Sequence, residues 1–133
     1  LLYAWVPIQL ALIAWGARAA AAEPDLGAAL ALAVSIGLLT GGVGITVAHE
    51  LGHRLGRLER ALSCVLLASV SYAHFHIEHN KGHHARVATP DDPATARAGE
   101  SFPTFLRRTV PAQFRSAWEI EAARLAALGL GVR

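Results

Sequence analysis

All seven histidines of the chain fall between residues 49 and 84: His49, His53, His74, His76, His79, His83 and His84. Neutral imidazole is the commonest side-chain metal ligand, so a cluster this dense reads as a metal site. His49 and His53 stand four apart. On a helix that offset puts both rings on one face, with Cβ atoms about 5–6 Å apart, and two such imidazoles can converge on one ion. His79 and His83 repeat the offset, and His84 adds a donor beside them. The single cysteine, Cys64, rules out a disulfide framework and a thiolate zinc site. It sits in an apolar run and reads as a small buried hydrophobe. The donors are therefore nitrogen, with oxygen available. Imidazole suits zinc, copper, iron and nickel, so ligand type leaves the metal open. Gly82 either lets the backbone pass close to the metal or ends a helical turn.

The elements that must carry these residues are written in the apolar pattern. Of the 133 residues, 53% are hydrophobic and 17% charged, against about 25% charged in a typical soluble domain. Residues 26–48 carry no charge, and about 20 apolar residues cross a bilayer. Residues 1–22 form a second apolar run, broken by Gln9 and Arg18, with Tyr3, Trp5 and Trp15 suited to the membrane interface. Pro7 is tolerated in such a span. Glu23-Pro24-Asp25 makes the turn between them. The predicted fold class is an all-α, polytopic membrane protein. It has two transmembrane helices, membrane-associated helices and a cytoplasmic His-rich metal region. The chain begins with Leu and contains no Met, and we read it as one fragment of a longer protein.

Charge gives the expected orientation. Up to residue 48 there are one basic residue (Arg18) and two acids (Glu23, Asp25). From residue 49 onward there are 11 basic and 8 acidic residues. Positive charge beside a span favours the cytoplasm, so Arg54, Arg57 and Arg60 are placed there and the 23–25 turn outside. Ala61 to Ala73 is too short to span. It is expected to form a helix dipping into the membrane or packing on the spans, and to continue into the His-rich segment. Residues 49–101 form the His-box region, with a turn-rich loop at 89–101 broken by Pro90 and Pro93. Residues 102–133 mix aromatic residues with arginines, as in a helix lying in the interface. Basic residues alternate with acids rather than forming one patch, so no nucleic-acid partner is expected.

Two boxes order the histidines. His49-Glu50-Leu51-Gly52-His53 matches H-E-x-x-H, in which zinc metalloproteases use two His as ligands and the Glu as general base. In a membrane this HELGH form resembles the site-2 intramembrane proteases. Glu78-His79-Asn80-Lys81-Gly82-His83-His84 reads E-H-x-x-G-H-H. Together with HELGHR (His49 to Arg54), it resembles the first two histidine boxes of the integral-membrane alkane 1-monooxygenases. These belong to the membrane fatty-acid desaturase and hydroxylase group. The resemblance continues through Arg86-Val87-Ala88-Thr89-Pro90-Asp91-Asp92-Pro93, Gly99-Glu100-Ser101 and Ser116-Ala117-Trp118-Glu119. A protease needs no second box of this form, and no Asp-Gly segment supplies its third ligand. Thr46-Val47 stand where the family usually has Asn-Thr, Arg54 where it usually has Lys, and the family's third box does not occur in this chain.

The resemblance implies a non-haem di-iron centre that activates O₂ and hydroxylates the terminal carbon of an alkane or fatty-acyl chain. It implies rubredoxin and its NAD(P)H-dependent reductase as electron donors, and a bacterial cytoplasmic (inner) membrane location, multi-pass, with the His boxes facing the cytoplasm. Carried over by position, the metal ligands are His49, His53, His79, His83 and His84, with no separate catalytic residue. Glu50 and Glu78 are expected to hold imidazole N–H groups, and His74 to lie behind the ligands or serve structure. His76 has no family counterpart. Gly41, Gly42 and Ile45, one and two turns before His49, are expected to border a substrate channel. The competing readings are an intramembrane zinc protease, a xylene-monooxygenase-like hydroxylase, and a non-catalytic metal-binding or transport protein.

Overall fold

Away from water an apolar run can satisfy its backbone only within itself or a closed sheet, and the helix is the local solution. The computed structural model describes residues 1–131, and every regular element among them is helical. α1 spans Leu2–Ala22 with Pro7 inside it, and α2 spans Leu26–Gly52. Both are long and apolar enough to cross a membrane. The Asp25 carboxylate caps α2 by accepting the Ala28 N–H at 2.7 Å, satisfying one of the free donors of the first turn. α2 runs past the apolar stretch and takes His49 into its last turn. α3 spans Arg57–Ser69. The chain divides into two compact units, the first Leu1–Ala73 and the second from His74 onward. Box one and box two thus fall on different units.

The first unit is held by small residues and one polar side chain. Gln9 is fully buried. Its amide donates to Leu66 O (3.3 Å) and Ser69 Oγ (2.8 Å) and accepts the Trp5 indole N–H (2.8 Å). This ties α1 to α3. Gly44 of α2 leaves the room: a Cβ there would strike the Gln9 amide, whose Cδ would lie 2.8 Å away. Small residues that let helices approach are the usual packing device in membranes. Gly44→Ala is expected to displace Gln9 and cost about 1–3 kcal/mol, the penalty for buried groups left unsatisfied. Gly37→Ala, where a Cβ meets nothing within 4 Å, is the neutral control. Thermal unfolding of the two variants in one detergent checks this.

α3 differs from its expected course in three respects. It starts at Arg57, before the apolar run. It also stops at Ser69 instead of continuing into the His-rich segment. Ser71 sits at φ 58, with Ser71 N–H on Ala68 O (3.0 Å) and Tyr72 N–H on Leu67 O (2.8 Å). These two bonds close the helix end as a Schellman motif. Thirdly, Cys64 is exposed on the helix surface, not buried. The buried face carries Ser63, Leu66 and Leu67, and Ser63 donates to Ala48 O at 2.6 Å, fixing α2 one residue before His49.

The second unit contains α4 (Phe75–Ile77), a six-residue π-helical turn (Glu78–His83), α5 (His84–Arg86), a loop over residues 87–101, and α6 (Phe102–Ala127). α6 packs on α4 and the π-turn through a face that buries Thr109, Gln113, Ser116 and Ala117. Phe102, Leu106, Val110, Phe114 and Trp118 line its exposed side. The loop is latched to α6 by Arg108. Its guanidinium donates to Glu100 (2.7 and 2.8 Å), Pro93 O (3.1 Å) and Thr95 O (3.0 Å).

Hydrogen bonds from Arg108, then from the Arg97 N–H, hold the Glu100 carboxyl down to about 2 from the ordinary 4.5. A depressed carboxylate contributes stability above its unfolded value and loses it as pH falls through its folded one. The stability gap between the parent protein and Glu100→Gln is therefore expected to be full above pH 4.5 and to close as pH falls through about 2. Unfolding of both proteins across that window measures it.

Candidate metal centre

Box one sits where α2 ends. His49 lies in the last turn, and His53 caps the helix while still in helical geometry. Their Nε2 atoms stand 3.0 Å apart with the rings edge to face, so the four-residue offset does bring both donors together. Two metal–nitrogen bonds of about 2.1 Å meeting at a right angle hold their nitrogens about 3 Å apart. The pair therefore fits one shared cation. Glu50 departs from expectation. It is exposed and pairs with Arg54 at 3.8 Å instead of holding an imidazole.

Box two is built differently from its spacing. On an α-helix, residues five apart point about 140° away from each other. The π-turn over Glu78–His83 takes an extra residue per turn, which returns position i+5 to the same side. The converging donors are consequently His79 and His84, with Nε2 atoms 3.1 Å apart. The expected i,i+4 pair, His79 and His83, has its rings nearly parallel with centroids 5.4 Å apart. His83 is held from behind: its Nδ1 lies 2.8 Å from Asp92 Oδ2. π-bulges of this kind are frequent at functional sites.

Asp92 is the residue that spacing did not single out. Its side chain is fully buried. Thr95 Oγ1 donates to the same Oδ2, and the Ala94 N–H donates to Oδ1 at 3.0 Å. Burial alone would raise this carboxyl. The Thr95, Ala94 and His83 bonds outweigh it and leave the group below its ordinary value. The signal that could have found it is the turn sequence Pro90-Asp91-Asp92-Pro93. Such a turn folds back within a few residues and so returns a carboxylate toward the box.

Glu78 does not hold an imidazole. It is 1% exposed, and its Oε1 accepts from Arg86 Nη2 (3.0 Å) and Ser116 Oγ (3.2 Å). Gly82 serves this pair. A Cβ there would strike the Glu78 carboxylate and lie 2.7 Å from Arg86 Nη2. The glycine makes room for an ion pair under the π-turn. His74 stacks edge to face on Phe114 with centroids 5.2 Å apart. Burial pushes its pKa down, favouring neutral imidazole. It lines an apolar groove of about 800 Å³ with Val110, Phe114 and Trp118. The His76 carbonyl accepts the Asn80 amide at 2.8 Å. In the first unit Gly41 and Ile45 line a cavity of about 440 Å³ with Ile13, Ile36, Thr40 and Tyr72. Gly42 is outside that lining, with nothing within 4 Å of a Cβ.

The chain is similar to known proteins over most of its length. Over 133 residues the chain is 44% identical to alkane 1-monooxygenase 1 of Alcanivorax borkumensis, covering 99% of this chain and 33% of the relative. It is 48% identical over 103 residues to alkane 1-monooxygenase of Pseudomonas putida, covering 77% of this chain and 25% of the relative. It is 42% identical over 131 residues to alkane 1-monooxygenase 1 of Pseudomonas aeruginosa, covering 97% and 34%. The chain thus spans between a quarter and about a third of the length of these curated relatives. The fatty acid desaturase family matches residues 26–133. That match runs from the first residue of α2 through both histidine boxes and α6, and the chain belongs to the fatty acid desaturase family.

Proposed function

We propose that the whole protein is an alkane 1-monooxygenase. In this reading it hydroxylates the terminal carbon of medium-chain alkanes or fatty-acyl chains, with O₂ as co-substrate and electrons from rubredoxin and its NAD(P)H-dependent reductase. The observation that carries the reading is the second donor pair, His79 and His84, on a π-turn. A protease of the H-E-x-x-H type has no use for it, and relatives that carry the name alkane 1-monooxygenase match across it. The ligands on this chain are His49, His53, His79, His83 and His84. A non-haem di-iron centre takes more donors than these five, and the rest come from outside this segment. The bound iron would supply the activation of O₂ that attack on a strong C–H bond requires.

The chain's own residues position and shield. Ser63 holds the backbone of α2 just before His49. The Glu78–Arg86 pair, with Ser116, supports the turn that carries His79 and His84. Gly41 and Ile45 keep space beside α2 for an apolar chain. The protein lies in the bacterial cytoplasmic membrane with both boxes on the cytoplasmic side. A topology reporter fused after Arg60 is expected to read cytoplasmic and one at Asp25 external; the reverse pattern would overturn the electron route.

The test of function uses the whole protein with rubredoxin and its reductase, and octane as substrate. The expected product is 1-octanol. Glu50→Gln is expected to keep iron and activity within about tenfold, the mild end of losses around a metal site, because Glu50 faces Arg54. Hydrolysis of a peptide substrate that Glu50→Gln abolishes with metal retained would favour the protease instead.

A further inference from the structure

We infer that Asp92 is a positioning residue of the metal site: its carboxylate fixes the ring of His83 and leaves Nε2 as that ring's donor atom. The inference rests on the proposed reading of His83 as a ligand and deepens it. An ionised carboxylate only accepts hydrogen bonds, so the 2.8 Å contact requires the proton of His83 on Nδ1. A neutral imidazole with Nδ1–H has its lone pair on Nε2.

The surroundings are built to keep this acceptor in place. The Asp92 side chain is fully shielded while His83 is 23% exposed, so one end of the contact is anchored and the other reaches outward. The anchor is a chain of bonds. Ala88 N–H donates to Thr95 Oγ1 at 3.0 Å, Thr95 Oγ1 donates to Asp92 Oδ2, and Ala94 N–H donates to Oδ1. Ala88 is held at φ 65 to enter this loop, a conformation L-residues adopt only when their surroundings enforce it. α6 then fixes the loop from outside, with Arg108 on Pro93 O and Thr95 O and Thr109 Oγ1 on Pro93 O at 2.8 Å. The Asp92 carboxylate is buried, and its Oδ2 faces both Thr95 Oγ1 and the imidazole of His83.

Asp92→Asn separates the roles. It keeps the shape but has one acceptor oxygen and no charge. Thr109→Val removes the loop's bond from Thr109 Oγ1 to Pro93 O without touching Asp92 or His83, and is the structural control. Each is made in the whole protein, with Asp92→Glu and His83→Ala. Iron retained per chain is measured during dialysis against a chelator, and Mössbauer spectra are taken of the iron that remains. Asp92→Asn is expected to shed iron about 10–100-fold more readily, as is typical for partners of ligating histidines, and to show an altered spectrum. Asp92→Glu should recover part of the retention, and Thr109→Val should match the parent in both readouts. If His83→Ala sheds iron while Asp92→Asn holds it like the parent, or like Thr109→Val, the inference about Asp92 fails and the ligand reading stands. If His83→Ala keeps all its iron, the ligand reading itself fails and takes the inference with it.

Discussion

Gly82→Ala is expected to dismantle the second histidine box although it changes no ligand. The added methyl would overlap the Glu78 carboxylate and crowd Arg86 Nη2. Glu78 is almost fully buried, so it has nowhere to move without losing its Arg86 and Ser116 bonds. Breaking a buried pair costs about 3–5 kcal/mol, a large share of the stability of a small unit. The turn that brings His79 and His84 together stands on this pair. Iron content is expected to fall with the melting temperature. Melting and iron content equal to the parent's would show that the glycine is not making room for the pair.

Arg86→Met is the second large effect. It leaves the buried Glu78 charge with Ser116 as its only remaining partner of the two on Oε1. The expected loss is again about 3 kcal/mol, the low end for an uncompensated buried charge, because the Arg86 side chain is 34% exposed. Adding Glu78→Gln removes the charge as well and should restore most of that stability, since replacing both partners of a buried pair is often near neutral. A double variant as unstable as Arg86→Met would place the cost elsewhere than in the stranded carboxylate.

The sequence was most readable where one pattern persists over many residues. The charge-free run at 26–48 and the apolar run at 1–22 each became one helix, and α6 appeared where aromatic and basic residues mix. His49 and His53 met as their spacing requires, because α2 remains helical through the box. What failed to show were features set by single residues or by backbone closure. The end of α3 depends on Ser71 in a left-handed conformation, which is usually marked by glycine. Its start is not legible in the apolar pattern because Arg57, Glu59 and Arg60 are polar, although they belong to the first turn of the same helix. The π-turn changes which histidines converge, and no periodicity rule anticipates one extra residue in a turn. Glu50 and Glu78 drew attention by standing next to ligands. The carboxylate that reaches an imidazole is Asp92, nine residues beyond His83 and brought back by a loop.

Metal content decides whether the two histidine boxes hold iron. The whole protein, purified from membranes, is to be analysed for iron and zinc beside His49→Ala, His79→Ala and His84→Ala. About two iron ions per chain are expected in the parent under the proposed monooxygenase function, with the loss of iron and of octane hydroxylation together in each variant. Stoichiometric zinc in place of iron, or variants that keep the parent's full iron, would contradict this expectation.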